Sequence, residues 1–527
     1  MTRDALSHVP HEHLIDLVLR AQEEAEALRA HNAQRDARLE ELEQQLRWFK
    51  QQLFGRKSER QILESDPSQL CLGEFAPKAE APVATTTVRS HARHKRPERD
   101  PSDDTGLRFD DSVPVKTIEI PNPELDGLPE DACFAVSEKI TYRLAQEPGA
   151  YVVLKIVRKV VKRADTGALA CPPAPPAVLE KSYADVSLLA GMLVDKFRYH
   201  LPLYRQHQRL EAAGITVSRA SLTSWAARAI ELLEPIYHAQ MGSILTSRVL
   251  AMDETPIRAG RKAKGKMRTA YFWPLYGDQH EVAFPYAPSR AKQHAEEILS
   301  RYCGTLLSDG YDAYARYAAR RTDLVHALCW VHARRGFVQA QDVEPRRAQQ
   351  ALDFLAALYE QEEEIRRRGL EGEAKLRARS EQSKPVVDAF FAWLEQELIE
   401  SALLPTNPFT KAAVYARQRR AGLEVFLSDP DVPLDTNHLE RALRVIPMGR
   451  KNWLFCWTEL GAQQVGQIQS LLTTCVLHDV DPYTYLVDVL QRIDCHPQSQ
   501  VQQLTPRLWK QHFADAPLRS LLHRAPP

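Results

Sequence analysis

Three short stretches place a carboxylate at the edge of an element, two where an apolar run stops and one where a helix begins. "VLAMDETP" ends in Asp253 and Glu254, "TLLSDGYDAY" brings Asp309 to the end of a second run, and "DTNHLERALR" sets Glu440 near the start of a helix. Asp309 follows Asp253 by 56 residues, and Glu440 follows Asp309 by 131. Mg²⁺ keeps several waters and takes few protein ligands, mostly carboxylates. Two such ions about 3.5–4 Å apart can clamp the attacking and leaving oxygens of an in-line displacement at phosphorus. Chemistry of that kind asks for about three acids delivered from separate elements.

Each acid also has a structural reading. Asp253 could end a strand before the Thr-Pro turn, and Asp309-Gly310 is a common turn pair. Asn437 and Glu440 could form a capping pair at a helix start. Taken together, at two strand ends and one helix start, they read as metal ligands: Asp253, Asp309 and Glu440. Strand alternation puts Val249, Ala251 and Asp253 on one face and Leu250, Met252 and Glu254 on the other. Both faces are apolar, so alternation does not choose between the two acids. Glu254 is expected to point away, as a structural or supporting group.

The elements that would carry these acids read as α/β. "RVLAMDETPIR", "RTAYFWPLYG" and "HEVAFPYAPS" are three strand-like runs, followed by a helix, an apolar strand and further helix. Two acids on strand ends and one on a helix is the arrangement of an RNase H-like core. That core is expected over residues 243–342 and, with Glu440, over 431–460. The charge-rich helical stretch between them, 343–430, reads as an insertion, and 461–527 as a C-terminal helical region.

Upstream, residues 12–54 carry apolar positions at alternating spacings of four and three for about six heptads, a coiled-coil pattern. Asn32 falls in the a series, which favours a parallel two-stranded pairing. The coiled coil and its basic tail ("LFGRKSER", with Arg56 and Lys57) span 1–61, and a Pro-, Ser- and charge-rich linker spans 62–115. Residues 116–180 read as a small β-rich module in which "YVVLKIVRKVVKR" resembles a half-exposed strand. Residues 181–242 read as helical, with a turn at Gly214 and a second helix opening near Ser218 or Ser221. This is similar to a helix-turn-helix, whose second helix, starting at Arg219, can enter the major groove; many helical hairpins share the look.

Composition narrows the class. Net charge is zero, with 69 basic and 69 acidic residues, so any nucleic-acid contact must come from local basic patches. One such patch follows Glu440 as Arg441, Arg444, Arg450 and Lys451, with Arg444 four residues on and so on the same helix face. No apolar run is long enough to span a bilayer and the N-terminus lacks a signal-peptide core, so a cytosolic protein without a membrane partner is expected. The eight cysteines are scattered. Cys133 and Cys171 belong to no C-x-x-C pair, which argues against zinc in the β-rich module. "HALCWVH" spaces His326, Cys329 and His332 three apart, but on one helix residues six apart do not converge, so a structural or DNA-proximal role is expected.

These motifs are similar to those of the large DDE-type transposases of the IS sixty-six insertion-sequence family. The resemblance covers nearly the whole chain and rests on "LFGRKSE", "DETP", "SDGYDAY", "CWVHARRGF" and, most specifically, "DTNHLERALRVIPMGRKNWLF". It implies an RNase H-like fold and the triad Asp253, Asp309 and Glu440. It implies two Mg²⁺ ions, with Mn²⁺ able to substitute, and DNA as partner, both terminal inverted repeats and target. It also implies small accessory proteins and a bacterial, nucleoid-associated location, while the coiled coil implies a homo-oligomer of at least two subunits. The expected activity is hydrolysis at an element end followed by 3′-OH strand transfer, with no Ser or Tyr nucleophile. DNA contacts are expected from Arg441, Arg444, Arg450, Lys451, Arg56, Lys57 and Arg219. The chain departs from the family in lacking the usual cysteine-rich module, in His438 after "DTN", and in "FCWTELGA". A nuclease without strand transfer, and an inactive DNA-binding descendant, remain open on sequence alone.

Overall fold

The computed structural model describes residues 107–523 apart from 112, 123–132, 148, 165–166, 264–265, 401–402 and 454–455. The heptad of 12–54, Arg56, Lys57 and nearly all of the linker lie outside the described residues. Within them the chain is a mixed α/β protein.

The first sheet has β3 (Ala150–Arg163) at its centre, parallel to β1 (Val115–Ile120) and antiparallel to β2 (Cys133–Glu147). β3 is half-exposed only towards its end. Val153, Leu154 and Ile156 are fully buried: Leu522, from the far end of the chain, packs on the face that carries Val152 and Leu154, while Val153, on the other face, joins the main core.

Four helices follow: α1 (Val186–Phe197), α2 (Leu203–Ala212), α3 (Arg219–Leu232) and α4 (Glu234–Ile244). Ser218 is the α3 cap, its hydroxyl accepting the Ser221 amide at 3.0 Å, so Ser221 sits in the first turn. Gly214 joins α2 to α3 at φ +78°, and a Cβ there would lie 2.3 Å from the Asp110 carboxylate. Only glycine meets both demands without strain.

The three strand-like runs are divided between two sheets. β4 (Val249–Met252), β7 (Leu275–Gly277) and β8 (Val282–Ala283) join β10 (Gly304–Ser308) and β11 (Leu324–Leu328) in a five-stranded sheet ordered β8-β7-β4-β10-β11. β10 pairs in parallel with both β4 and β11, and β7 runs antiparallel to β4 and β8. β5 (Thr255–Ala263), β6 (Lys266–Phe272) and β9 (Tyr286–Ala287) form a separate three-stranded sheet. Each run therefore turns a corner, at Asp253-Glu254, at Trp273-Pro274 and at Phe284-Pro285. Proline has no amide to donate to a ladder, so two of the corners are points where pairing must break. The carbonyls stay in use, Pro274 accepting from Asp253 at 3.2 Å and Pro285 from Trp273 at 2.9 Å.

β4 is covered on both faces. Leu250 and Met252 pack with α5 (Lys292–Leu299) and α6 (Asp312–Ala318) through Ala295, Leu299 and Tyr314. Ala251 packs towards α14 (Glu459–Leu477), and Val249 towards the helical insertion. The helices there run from α7 (Trp330–Ala340), which leads into the 343–430 stretch, through α8 (Pro345–Arg367) and α9 (Gly372–Ala378). A π-turn at Arg379–Ser383 then leads to α10 (Lys384–Glu400) and α11 (Pro408–Gln418). Their core is aromatic, with Trp330 against Phe390 and Phe391 and its indole donating to the Leu423 carbonyl at 2.8 Å. The buried Arg379 is held by Glu362 and donates to the carbonyls of Phe426 and Asp429. The chain then returns as α12 (Asn437–Leu443) and α13 (Val445–Trp453), and α15 (Pro482–Arg492) and α16 (Pro506–His512) follow α14.

α14 also closes the sheet. The Val282 amide of β8 donates to the Thr474 hydroxyl at 3.2 Å, and that of Phe284, just past the strand, to the Ser470 hydroxyl at 2.9 Å. Gln240 bridges the Val282 carbonyl and Thr474. An edge that would template pairing with another chain is thus covered. Gly466 makes the approach possible, since a Cβ there would sit 2.2 Å from the Phe284 carbonyl oxygen. Among the described residues no helix is long and apolar enough to cross a membrane.

Candidate active site

β4 and β10 are parallel neighbours with Ala251 opposite Leu307. Two residues further on, the same register sets Asp253 beside Asp309 at the carboxyl ends of the strands. Each aspartate spends part of its acceptor capacity locally. Asp253 Oδ1 accepts the Glu254 amide at 2.7 Å, and Asp309 Oδ1 accepts the Tyr311 amide at 2.9 Å. The turn reading of Asp309 is therefore correct as local geometry, and it leaves the second oxygen free to face the cavity. Tyr415 and Arg419 close over Gly310, where a Cβ would lie 2.3 Å from the Tyr415 hydroxyl and 2.6 Å from Arg419 Nε.

Glu254 does not point away from this cluster. Single oxygens of Asp253, Glu254 and Asp309 all lie within 4.8 Å of one another. Alternation turns the Glu254 side chain towards α5 and α6, where Tyr314 donates to Oε2 at 2.8 Å and Arg290 forms an ion pair through Oε1. Those partners hold its carboxylate at the cluster, with only 3% of the side chain exposed. Arg290 is itself stacked on Tyr311, 4.2 Å from the ring centroid.

Glu440 lies in the first turn of α12 and lines the same open cavity, of about 420 Å³, with His332, Arg335 and Arg444. Its carboxylate pairs with Arg335 at 3.8 Å. The capping pair between Asn437 and Glu440 is not formed; Asp435 instead accepts the Asn437 amide at 2.9 Å. α12 is tied to α7 through a thiol, because Cys329 Sγ accepts both the amide and the hydroxyl of Thr436 at 3.3 Å.

The His-Cys-His spacing does not lie on one helix. His326 is in β11, Cys329 caps α7, and only His332 is helical. His326 is spent on the Ser308 hydroxyl at 2.8 Å, and burial pushes it down to about 4. His332 instead reaches the acid cavity, with its Nδ1 buried and unpartnered among the described residues. Burial lowers its pKa, against the pull of Asp309 and Glu440.

The electrostatics follow from crowding. Burial pushes Asp253 up to about 7, and the charges of Glu254, Asp309 and Glu440 add to it, while the Glu254 amide opposes it. Glu254 is also raised, first by burial and then by Asp309, with Tyr314 and Arg290 opposing. Four acids therefore face two paired guanidiniums, Arg290 and Arg335. A hard divalent cation fits such an all-oxygen set; Asp253, Glu254 and Asp309 are placed to share one ion.

The expected basic residues are not all at the cavity. Arg444 lines it, whereas Arg441 lines a different cavity on the other side of α12. Arg450 donates to the Pro256 carbonyl, and Lys451 is exposed beside it. Arg219 is exposed and sits over the Tyr204 ring at 4.7 Å, joining α3 to α2. Arg290, Arg335 and His332 are site residues that sequence reasoning did not place. His332 and Arg335 carried a signal, standing three apart at the start of the helix in "CWVHARRGF"; Arg290 carried none.

Comparison with known proteins accords with this layout. A family model described as "Transposase IS66 family" matches residues 181–464, and one described as "IS66 C-terminal element" matches 470–507. A third, "Transposase C of IS166 homeodomain", matches 41–118. The chain is 30% identical over 506 residues to "Uncharacterized protein y4hP" of Sinorhizobium fredii, covering 90% of this chain and 89% of that one. It is 32% identical over 356 residues to "Uncharacterized protein y4jD" of the same organism, covering 64% and 68%.

Proposed function

The chain belongs to the IS66 transposase family, and from that premise we propose that it is a metal-dependent DNA transposase acting through Asp253, Asp309 and Glu440. The observation that carries this reading is the convergence of acids from β4, β10 and α12 on one cavity beside basic side chains. The strand order β8-β7-β4-β10-β11, with only β7 antiparallel, supports an RNase H-like core interrupted by helices before Glu440.

The first step is hydrolysis at an element end. Water adds to phosphorus, the bond to the 3′ oxygen breaks, and that oxygen leaves with a proton as a free 3′-OH. In the second step this hydroxyl attacks a target phosphodiester and displaces the target's own 3′ oxygen, so phosphodiester number is conserved and no protein–DNA bond forms. A bound pair of Mg²⁺ ions supplies Lewis-acid activation of the attacking oxygen and stabilisation of the leaving one. Asp253 and Asp309 hold the ligand oxygens at fixed strand ends, and Glu440 brings a third from α12. The Glu254 backbone amide fixes the Asp253 carboxylate, and the Glu254 side chain, clamped by Arg290 and Tyr314, adds a further carboxylate oxygen beside it. Arg444 and Arg335 are positioned to take the scissile-strand phosphates, where fixed positive charge also favours the transition state. α3 and the basic tail contact the terminal repeats, and the N-terminal heptad joins subunits so that two ends are held together.

The test uses end-labelled terminal-repeat DNA with Mg²⁺, and a precut end for the second step. Asp253→Asn, Asp309→Asn and Glu440→Gln are each expected to abolish cleavage while leaving end binding intact. Cleavage by any one variant removes that residue from the triad. Cleavage without joining of the precut end reduces the protein to a nuclease.

A further inference from the structure

α12 and α13 separate two cavities. Glu440, Leu443, Arg444 and Pro447 face the acids, whereas His438, Arg441, Ala442 and Val445 line a second cavity of about 210 Å³. At about 100° per residue these two sets fall on opposite faces of one helical path. The second cavity is walled by Phe197, Tyr276, Leu472 and Val476, and the His438 ring stands edge-on to Tyr276 at 4.7 Å between centroids. It is smaller than the roughly 300–1,000 Å³ of pockets for drug-sized ligands, so it suits a single ring system.

Two further observations point to a ligand. Thr473, only 8% exposed, lines this cavity with a buried hydroxyl that has no hydrogen-bond partner among the described residues. A buried orphan polar group is rare and calls for a partner. Arg198 and Arg441 also line it, both are exposed, and neither is in an ion pair among the described residues. Apolar walls, one buried hydroxyl without a partner and two unpaired guanidiniums suit a nucleotide: the walls for the base, Thr473 for a polar edge, and the arginines for phosphate.

We propose that this cavity receives a nucleobase turned out of the DNA strand whose phosphates lie at the acids. The inference rests on the reading of DNA as the substrate. Arg441, next to Glu440 in the chain, then holds the phosphate of the displaced nucleotide, and α12 lies between the base and the reacting phosphorus.

The test uses the full-length protein and terminal-repeat duplexes carrying 2-aminopurine at successive positions around the cleavage site. Anisotropy reports binding, and 2-aminopurine emission reports loss of stacking. The emission is expected to rise several-fold at one position with the wild type and not with Ala442→Leu, which fills the cavity. Thr473→Val is expected to weaken binding by about fivefold, the worth of one hydrogen bond, while its DNA-free Tm stays level or rises. DNA bound with no position brightening, or with brightening unchanged in Ala442→Leu, overturns the proposal. Stabilisation by free dAMP or TMP that Ala442→Leu abolishes, without brightening in DNA, assigns the cavity to a free nucleotide and overturns the strand-derived base. Absence of any DNA binding by the wild type instead removes the transposase reading on which the proposal stands.

Discussion

Asp253→Asn should make the metal-free protein more stable while abolishing its activity. Burial and three neighbouring acids push Asp253 from the ordinary 3.8 up to about 7. At roughly 1.4 kcal/mol per pH unit, that distance corresponds to about 4 kcal/mol of destabilisation when the carboxylate is forced to ionise. The sign follows from proton counting. Between pH 4 and 7 the folded state binds the proton that the unfolded state has released, so stability falls as pH rises through this window. Below pH 4 both states are protonated and the penalty vanishes. Asparagine removes the charge and keeps an oxygen to accept the Glu254 amide, but its amide must still be buried at a cost of about 2 kcal/mol. The net gain expected at pH 8 is therefore about 2 kcal/mol. For a cooperative unit of about 400 residues the unfolding entropy is about 0.8 kcal/mol per kelvin, so Tm should rise by about 2 °C. The measurement is calorimetry of both proteins in chelator at pH 4 and pH 8, repeated at pH 8 with Mg²⁺. At pH 4, where only the cost of burying the amide is left, the sign should reverse and the variant should melt about 2 °C below wild type; at pH 8 Mg²⁺ should raise the Tm of the wild type more than that of the variant. A variant no more stable than wild type at pH 8, or a difference independent of pH, refutes the argument that burial, with the neighbouring acids, holds the Asp253 carboxyl above its ordinary range.

Glu254→Gln should leave cleavage detectable but reduce it about 10- to 100-fold, the range seen when a group that orients metal ligands is altered; its Mg²⁺-dependent rise in Tm should shrink in parallel, and full activity would free Glu254 of any role. Arg444→Ala should weaken DNA binding evenly across sequences and reduce the slope of log K against log salt by about one, as for loss of a single phosphate contact; an unchanged slope places Arg444 off the DNA. Gly466→Ala should cost about 2 kcal/mol or more, because its Cβ would meet the Phe284 carbonyl at 2.2 Å and neither backbone can give way without opening the β8 edge; a thermal melt matching wild type would show that α14 can slide.

The candidate acids were legible because each stands at a change of pattern. An apolar run that stops at a charge marks a strand end, and strand ends in an α/β sheet are where side chains can face solvent together. The helices of 343–430 were legible from a charge-rich composition without strand-like runs. The two-sheet division of residues 249–287 was not, since a strand that turns a corner keeps the same apolar pattern on both sides of the turn. Pro274 and Pro285 were the available signal. The His-Cys-His stretch was placed on one helix, whereas the helix begins at Trp330, so His326 lies in β11 and His332 alone reaches the acid cavity.

The chain's local chemistry, taken alone, determined where acids end apolar runs, where helices start and which residues could bind a hard cation. Periodicity and capping act over a few residues, so they can be read in one dimension. Only the tertiary structure decided that Glu254 joins Asp253 and Asp309, that Arg290, Arg335 and His332 share their cavity, and that Arg441 faces away from it into a second one. Those outcomes depend on the parallel register of β4 with β10 and on α12 returning after the insertion, contacts between residues 36 to 131 positions apart that no local pattern encodes.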